Sequence, residues 1–166
     1  MIIKANIKNL DEVDLIMNEI KEEMRNENNP QWGSTEDDYP SKKRLKEDIN
    51  NNRMYIYVEE DKIKGVLSII EDTGEYDELL ENSQEKAYIL HRLAIPIQYR
   101  NNNIATKLLR FAEKIAKENN IKVLKSDTEI SNTKMNNLFI KEGYKYKGKF
   151  SYDDYPGIYK YYEKEI

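Results

Sequence analysis

The segment Leu93-Ala94-Ile95-Pro96-Ile97-Gln98-Tyr99-Arg100-Asn101-Asn102-Asn103-Ile104-Ala105 constrains this chain more than any other. An apolar run stops at a proline, which has no N–H to offer a sheet ladder. A short polar and aromatic stretch follows. Ile104, Leu108, Phe111, Ala112 and Ile115 then recur on one helical face, which predicts a helix from about Asn103 to Glu118. A strand that turns sharply into a helix gathers unpaired N–H groups and the positive end of the helix dipole at one point, where an anion is stabilised. Such turns usually carry glycine, for left-handed φ and for close approach of backbone to phosphate. This one carries Asn101, Asn102 and Asn103, and Asn is the best substitute for glycine in the left-handed region. Its side chain either obstructs a phosphate or turns outward and donates to it, while Ala105 keeps the helix start open.

The rest of the chain supplies elements around this turn. Ile2 to Ile7 reads as a strand, and Asn9 as the cap of a helix, with Glu12 placed to complete a capping box. Val13, Ile16, Met17, Ile20 and Met24 share one face of that helix. A polar loop from Asn26 to Tyr39 leads to a second helix, capped by Ser41 and running to about Asp48. Met54 to Val58 and Ile63 to Ile70 read as a hairpin around Glu59-Glu60-Asp61. The acidic stretch Glu71 to Glu85 has no pattern and reads as a long loop or a short helical insertion. Tyr88 to Ile95 is a further strand, as is Ile121 to Leu124, which runs out at Ser126-Asp127. Asn120 is placed as a left-handed helix stop. Ser131 or Asn132 opens a helix carrying Met135, Leu138 and Phe139, which Gly143 ends. The tail from Tyr144 to Tyr162 alternates like two strands around a turn at Asp153 to Gly157. The order β-α-α-β-β-β-α-β-α-β-β predicts an α/β fold, a mixed sheet with helices on both faces. No linker or repeat divides residues 1–166, so one domain is expected.

Composition removes several function classes. A net charge of −4 argues against a dedicated nucleic-acid binder. There is no cysteine, so no thiolate nucleophile, disulfide or zinc–cysteine site is available, and the single histidine, His91, excludes a multi-histidine metal site. No metal is expected. No apolar run approaches a bilayer span and no signal-peptide core opens the chain, so a cytoplasmic location without membrane contact is expected.

Two blocks in register resemble the GNAT superfamily of N-acetyltransferases. Leu93-Ala94-Ile95 with Arg100-Asn101-Asn102-Asn103-Ile104-Ala105 is similar to its Leu-Ala-Val strand end and Arg-x-x-Gly-x-Gly/Ala turn. Asn132, Met135, Leu138, Phe139, Gly143 and Tyr144 match its Asn-x-x-Ala-x-x-Leu-Tyr-x-x-x-Gly-Phe block. Gln31-Trp32, Tyr39-Pro40 and His91-Arg92 further resemble a bacterial subgroup whose substrates are mostly unassigned. The resemblance implies a single-domain, mostly antiparallel mixed sheet and acetyl-coenzyme A (acetyl-CoA) as donor. It implies that backbone N–H groups from Arg100 to Thr106 hold the pyrophosphate, that Leu93, Ala94 and Ile95 pair with the pantetheine, and that Asn132 hydrogen-bonds it, with Met135 alongside. It also admits a homodimer.

Acetyl transfer to an amine needs a neutral nitrogen, and removing a proton from an amine of pKa ~10.4 costs roughly 4–5 kcal/mol at neutral pH. His91 is the titratable group whose ordinary range suits that task; its alternative is a plain sheet histidine. Glu71, Asp127 and Glu129 are carboxylates near strand ends. The family's thiolate-protonating tyrosine is replaced by Phe139, which leaves Tyr144, Tyr155, unassisted departure of the thiol, or no catalysis. Trp32 and Tyr39, with Glu36, Asp37 and Asp38 between them, form either an aromatic and acidic lip for a cationic amine or a plug on the core. With Asp127 they are the candidate acceptor-binding residues. The implied activity is N-acetylation of a primary amine on a small molecule or peptide. A degenerate domain that binds acyl-CoA or a partner without turnover is the alternative, prompted by Asn103 and Phe139. A third reading is modification of protein N-termini or lysines.

Overall fold

The computed structural model describes residues 1–166. Its strands are β1 (Ile2–Lys4), β2 (Met54–Glu59), β3 (Lys62–Glu71), β4 (Ala87–Ala94), β5 (Val123–Glu129), β6 (Lys145–Phe150) and β7 (Tyr159–Glu165). Its helices are α1 (Leu10–Asn26), α2 (Lys42–Asn50), α3 (Ile104–Glu118) and α4 (Thr133–Lys141). The strands form one sheet in the order β1-β2-β3-β4-β5-β7-β6, in which the β4–β5 pair alone is parallel. This is the mixed, mostly antiparallel α/β sheet that the element order and the family resemblance imply.

The period-2 alternation of the strands assigns each helix pair its face. Met54 and Ile56 of β2 pack with Val13, Ile16, Met17 and Ile20 of α1 and with Leu45 and Ile49 of α2. Their neighbours Tyr55 and Tyr57 point the other way, into Leu108, Leu109 and Ala112 of α3 and Phe139 of α4. Gly65 on β3 lets α3 lie close: a Cβ there would stand 2.8 Å from Ile104 and 3.0 Å from Leu108. A third cluster, with Tyr76, Ile89, Phe150, Tyr159 and Tyr161 buried, covers the sheet where no helix does. No helix is long and apolar enough to cross a membrane.

Several boundaries differ from the sequence reading. Asn6, not Asn9, caps the first helical turn: its side chain accepts from Lys8 N, and the Asn9 side chain accepts from Asn6 N. Glu12 therefore closes no capping box; it reaches across to accept from Ile63 N at 3.0 Å. β5 begins two residues later than Ile121 and continues through Asp127 to Glu129, because β7 pairs with it along its whole length. Cross-strand pairing there overrides weak local propensity. Ser41 caps α2 and Asn132 caps α4 through side-chain oxygens, as expected. Asn120 (φ 55°) and Gly143 (φ 84°) end their helices in the left-handed region, also as expected.

Residues 72–86 contain no helix. Lys125 of β5, almost wholly buried, holds this segment with all three ammonium hydrogens: to Asp72 Oδ2 at 2.5 Å, Asn82 Oδ1 at 2.5 Å and the Ser83 carbonyl at 2.7 Å. Burial alone would raise the Asp72 carboxyl, but the Lys125 hydrogen bond and the N–H groups of Gly74 and Glu75 outweigh it and hold it below its usual range. Lys21 of α1, equally buried, does the same for the loop after α1, donating to Asp38 at 2.9 Å. Arg25 adds bonds to Asp38 Oδ1 and the Gly33 carbonyl.

Candidate active site

β4 and β5 pair only from Ala87–Val123 to Ile89–Lys125 and then part. On its other side β4 carries a bulge: Ser68 and Val66 of β3 oppose His91 and Ala94, one residue more on β4 than on β3. Arg92 absorbs the extra residue at φ 55°, a left-handed conformation that costs a non-glycine residue energy and re-aims the strand. Two cavities meet where the strands part, sharing Met24, Leu93, Asn132 and Met135 in their walls.

The first, of about 270 Å³, lies under the Leu93–Thr106 segment; Leu93, Ala94, Ile95, Arg100, Asn101, Asn103, Ile104, Ala105 and Thr106 line it. Asn101 (φ 64°) and Asn103 (φ 56°) take the left-handed conformation that glycine usually supplies. The Asn103 side chain caps nothing, so the first N–H groups of α3 stay open to a ligand. Asn102 turns its amide back onto the Tyr99 and Arg100 carbonyls, at 3.2 and 3.3 Å, and stands outside the cavity lining. The Arg100 guanidinium grips Glu23 of α1 with two bonds of 2.5 Å and donates to the Ile95 carbonyl. That hydrogen bond holds the Glu23 carboxyl below its usual range despite burial. Arg100 thus braces the turn through Glu23 and the Ile95 carbonyl. Thr106 Oγ1 donates to Glu142, leaving its N–H as the available donor. Asn132 caps α4 with Oδ1 and points Nδ2 at Gln31 Oε1, 3.4 Å away.

The second cavity, of about 380 Å³, is lined by side chains from widely separated segments. Trp32 and Tyr39 come from the loop fastened by Lys21; His91 from β4; Asp127 from β5; Tyr152 and Tyr155 from the β6–β7 connection; and Tyr159 from the start of β7. Glu75 enters from the loop held by Lys125. The four predicted residues Trp32, Tyr39, His91 and Asp127 are therefore brought into one cavity. His91 Nε2 lies 3.2 Å from Glu75 Oε2. The Tyr152 hydroxyl reaches Glu75 at 3.4 Å and Asp127 Oδ2 at 2.8 Å, and Tyr76 donates to the same Asp127 oxygen at 2.6 Å.

These groups divide by charge state. Burial would raise the Glu75 carboxyl, but the hydrogen bond and charge of His91, with Arg92, more than offset it, so Glu75 stays ionised. Asp127 is raised, by burial first and by the Glu75 charge, against the opposing effects of His91 and the two tyrosine hydroxyls. Burial pushes the hydroxyls of Tyr39, Tyr76 and Tyr152 upward, so they stay protonated.

Other expectations are corrected. Tyr144 lines neither cavity: it is packed behind Phe139, its ring 5.2 Å away, with Lys164 over it and a buried hydroxyl that has no partner. Burial raises its hydroxyl, and it stands outside both cavities. The acidic lip is absent, because Asp38 is spent on Lys21 and Arg25, Asp37 accepts from Thr35, and neither they nor Glu36 line the cavity. Glu129 is a turn acceptor for Ser131 N at 2.6 Å, and Glu71 is exposed at the end of β3. Trp32 is both things at once, a buried core residue and part of the cavity wall. The sequence reading missed Glu75, Tyr152, Tyr159, Arg44 and Arg53. The one available hint was the clustering of Tyr152 and Tyr155 in a Pro-Gly turn, where strand packing is not needed.

The chain matches the family model described as Acetyltransferase (GNAT) family over residues 20–144. No curated protein matches it in sequence. Among solved structures it is similar to a GNAT-family acetyltransferase from Streptococcus agalactiae, at 24% identity and a TM-score of 0.86, with 100% of this chain and 95% of that one covered. It is also similar to a PaiA N-acetyltransferase from Thermoplasma acidophilum in complex with coenzyme A, at 18% identity and 0.73, covering 100% and 98%. A ribosomal-protein-alanine N-acetyltransferase from Brucella melitensis aligns at 17% identity and 0.74, covering 100% and 99%. At such identities the likeness establishes a shared fold.

Proposed function

This chain belongs to the GNAT family of acetyltransferases, and from that premise we propose that it is an acetyl-CoA-dependent N-acetyltransferase acting on a primary amine of a small molecule or peptide. The observation that carries the reading is the meeting of two unlike cavities at Leu93, Asn132 and Met135, one lined by backbone N–H groups and the other opening onto His91 and Glu75.

In this reading the pyrophosphate of acetyl-CoA lies against the open N–H groups of Asn103 to Thr106, where the dipole of α3 adds its attraction. The pantetheine lies beside Leu93, Ala94 and Ile95, whose ladder on the β5 side ends where the strands part. The coenzyme A bound to the Thermoplasma protein of the same fold supports that donor. The amine enters past Trp32, Tyr39 and Tyr155, and neutral His91, its Nε2–H turned to Glu75, accepts the amine's proton on its other ring nitrogen. Glu75, ionised and 3.2 Å from Nε2, orients the ring and balances the charge the ring acquires. A backbone N–H of β4 near Leu93 receives the oxyanion. Phe139 offers no proton to the leaving thiolate, and a thiol of pKa ~8.5 departs without one.

Calorimetric titration with acetyl-CoA followed by a thiol-release assay over an amine panel tests this. Binding with release is the expected result, and binding without release for any amine returns the chain to the alternative of a donor-binding domain without turnover. His91→Ala is expected to lower kcat about 100-fold and remove the acid limb of the pH–rate profile. An unchanged profile removes His91 as the proton acceptor.

A further inference from the structure

Arg92 is a buried cation whose charge faces Asp48 but whose hydrogen-bond donors stand idle. Its side chain is 5% exposed, yet Nε and Nη1 make no hydrogen bond. Nη1 stands 3.1 Å from Asp48 Oδ2, an ion pair whose alignment misses a hydrogen bond, and that same oxygen already accepts from Ser68 Oγ at 2.7 Å. Buried donors are nearly always paired, and an idle charged one marks a place where a partner is missing. Arg92 lies in the wall of the larger cavity, at the residue that the β4 bulge forces into left-handed φ, with its guanidinium 5.6 Å from the centre of the Tyr39 ring.

Two further arginines line the same cavity from elements unrelated to β4. Arg44 comes from α2, half exposed, its one ion pair a 3.8 Å contact with Glu47 on its own helix. Arg53 comes from the turn before β2, is exposed, and forms none of the ion pairs of the chain. The wall of one cavity thus holds three arginines together with the carboxylates of Glu75 and Asp127. An acceptor that carried only positive charge would satisfy the carboxylates and leave the idle donors of Arg92, and Arg53, which no carboxylate pairs, without an acceptor. A ligand with both charges satisfies both sets, since a guanidinium binds a carboxylate through paired, charge-assisted hydrogen bonds.

We propose that the acceptor is a small amine that also bears a carboxylate, an amino-acid-like zwitterion, with its carboxylate held by Arg92, Arg44 and Arg53 and its amine turned toward His91 and Glu75. The assignment of the amine as the reacting end rests on the acetyl-transfer reading; the demand for a carboxylate rests on the arginines alone.

The test is calorimetry on the CoA-saturated protein with matched pairs that differ only by the carboxylate: lysine against cadaverine, phenylalanine against phenethylamine. At least one amino acid is expected to bind about tenfold or more tighter than its decarboxylated partner. Arg92→Met is expected to abolish that preference. Because removing a buried charge risks misfolding, Arg53→Gln and Arg44→Gln, at accessible positions, serve as the second test, each reducing the preference about threefold. Equal or tighter binding of the decarboxylated partners overturns the proposal, as does failure of every amino acid to bind at millimolar concentration. Thiol release in the same samples with acetyl-CoA reads the other question separately: a carboxylate preference without release counts against acetyl transfer and leaves the zwitterion site standing.

Discussion

The cavity proposed for the donor has one continuous segment, Leu93 to Thr106, along one side, a segment that presents main-chain groups, with side chains of α1 and α4 opposite, whereas the cavity proposed for the acceptor is walled by side chains gathered from Met24 to Tyr159. The first depends on backbone conformation, set by Asn101 and Asn103 in left-handed φ and by the Arg100–Glu23 clamp. The second depends on two loops, each fastened to the body of the protein by a buried lysine. A site made of backbone tolerates changes of side chain that keep its dihedrals. A site made of loops changes its specificity whenever a loop changes.

The sharpest way to separate the two halves is Lys125→Met. It strands Asp72, Asn82 and Ser83 without their common donor and frees the loop that carries Glu75. Loss of one partner from a buried ion pair costs about 3–5 kcal/mol, which lowers Tm by about 10 °C in a chain of this size. Acceptor turnover is expected to fall while calorimetric affinity for CoA is unchanged at a temperature where the variant remains folded; a matching loss of CoA affinity would show the halves to be one unit. Asn103→Val attacks the other side. A β-branched residue at φ 56° costs about 1–2 kcal/mol, so CoA binding is expected to weaken about tenfold, with Asn103→Gly at or above the native affinity.

Asp127→Asn has a smaller effect whose sign depends on pH. The Asp127 carboxyl titrates higher in the fold than in the unfolded chain, so folding favours the protonated acid. That contribution is complete below about pH 4 and is lost as pH rises through the folded value. The amide variant is therefore expected to raise Tm at pH 7 by about 2–4 °C, the difference closing as pH falls toward 4; a Tm lowered at neutral pH would mean that the ionised carboxylate is what the tyrosines stabilise. The smallest effect belongs to Phe139→Tyr. If the thiolate leaves unassisted, kcat stays within about threefold of native, and a tenfold rise would show that its protonation limits the rate.

The same contrast explains what was legible in the sequence. The strand, turn and helix from Leu93 to Glu118 were readable because proline, Asn and the 3.6-residue period act locally. Asn120 and Gly143 were readable for the same reason. His91 and Asp127 could be named as candidates, but not their partners. Glu75 sits in an acidic run with no periodicity, and it meets His91 only because Lys125, 50 residues away, holds the loop between them. Lys125 itself looks like any polar residue of an alternating strand. Gly65 carries no turn signal, since its role is to have no Cβ under Ile104 and Leu108. Tyr144 was misplaced because the motif fixes a position along the chain, while packing behind Phe139 decides where the hydroxyl ends up.

Met24, Leu93, Asn132 and Met135 face both cavities, so whatever fills one becomes part of the wall of the other. Two ligands that share a wall share free energy: each alters the affinity of the other by the same factor. Any cooperativity between the proposed donor and acceptor runs through these four side chains. Changes at those positions are expected to alter that coupling while leaving Asn101, Asn103 and the charged groups of the larger cavity in place.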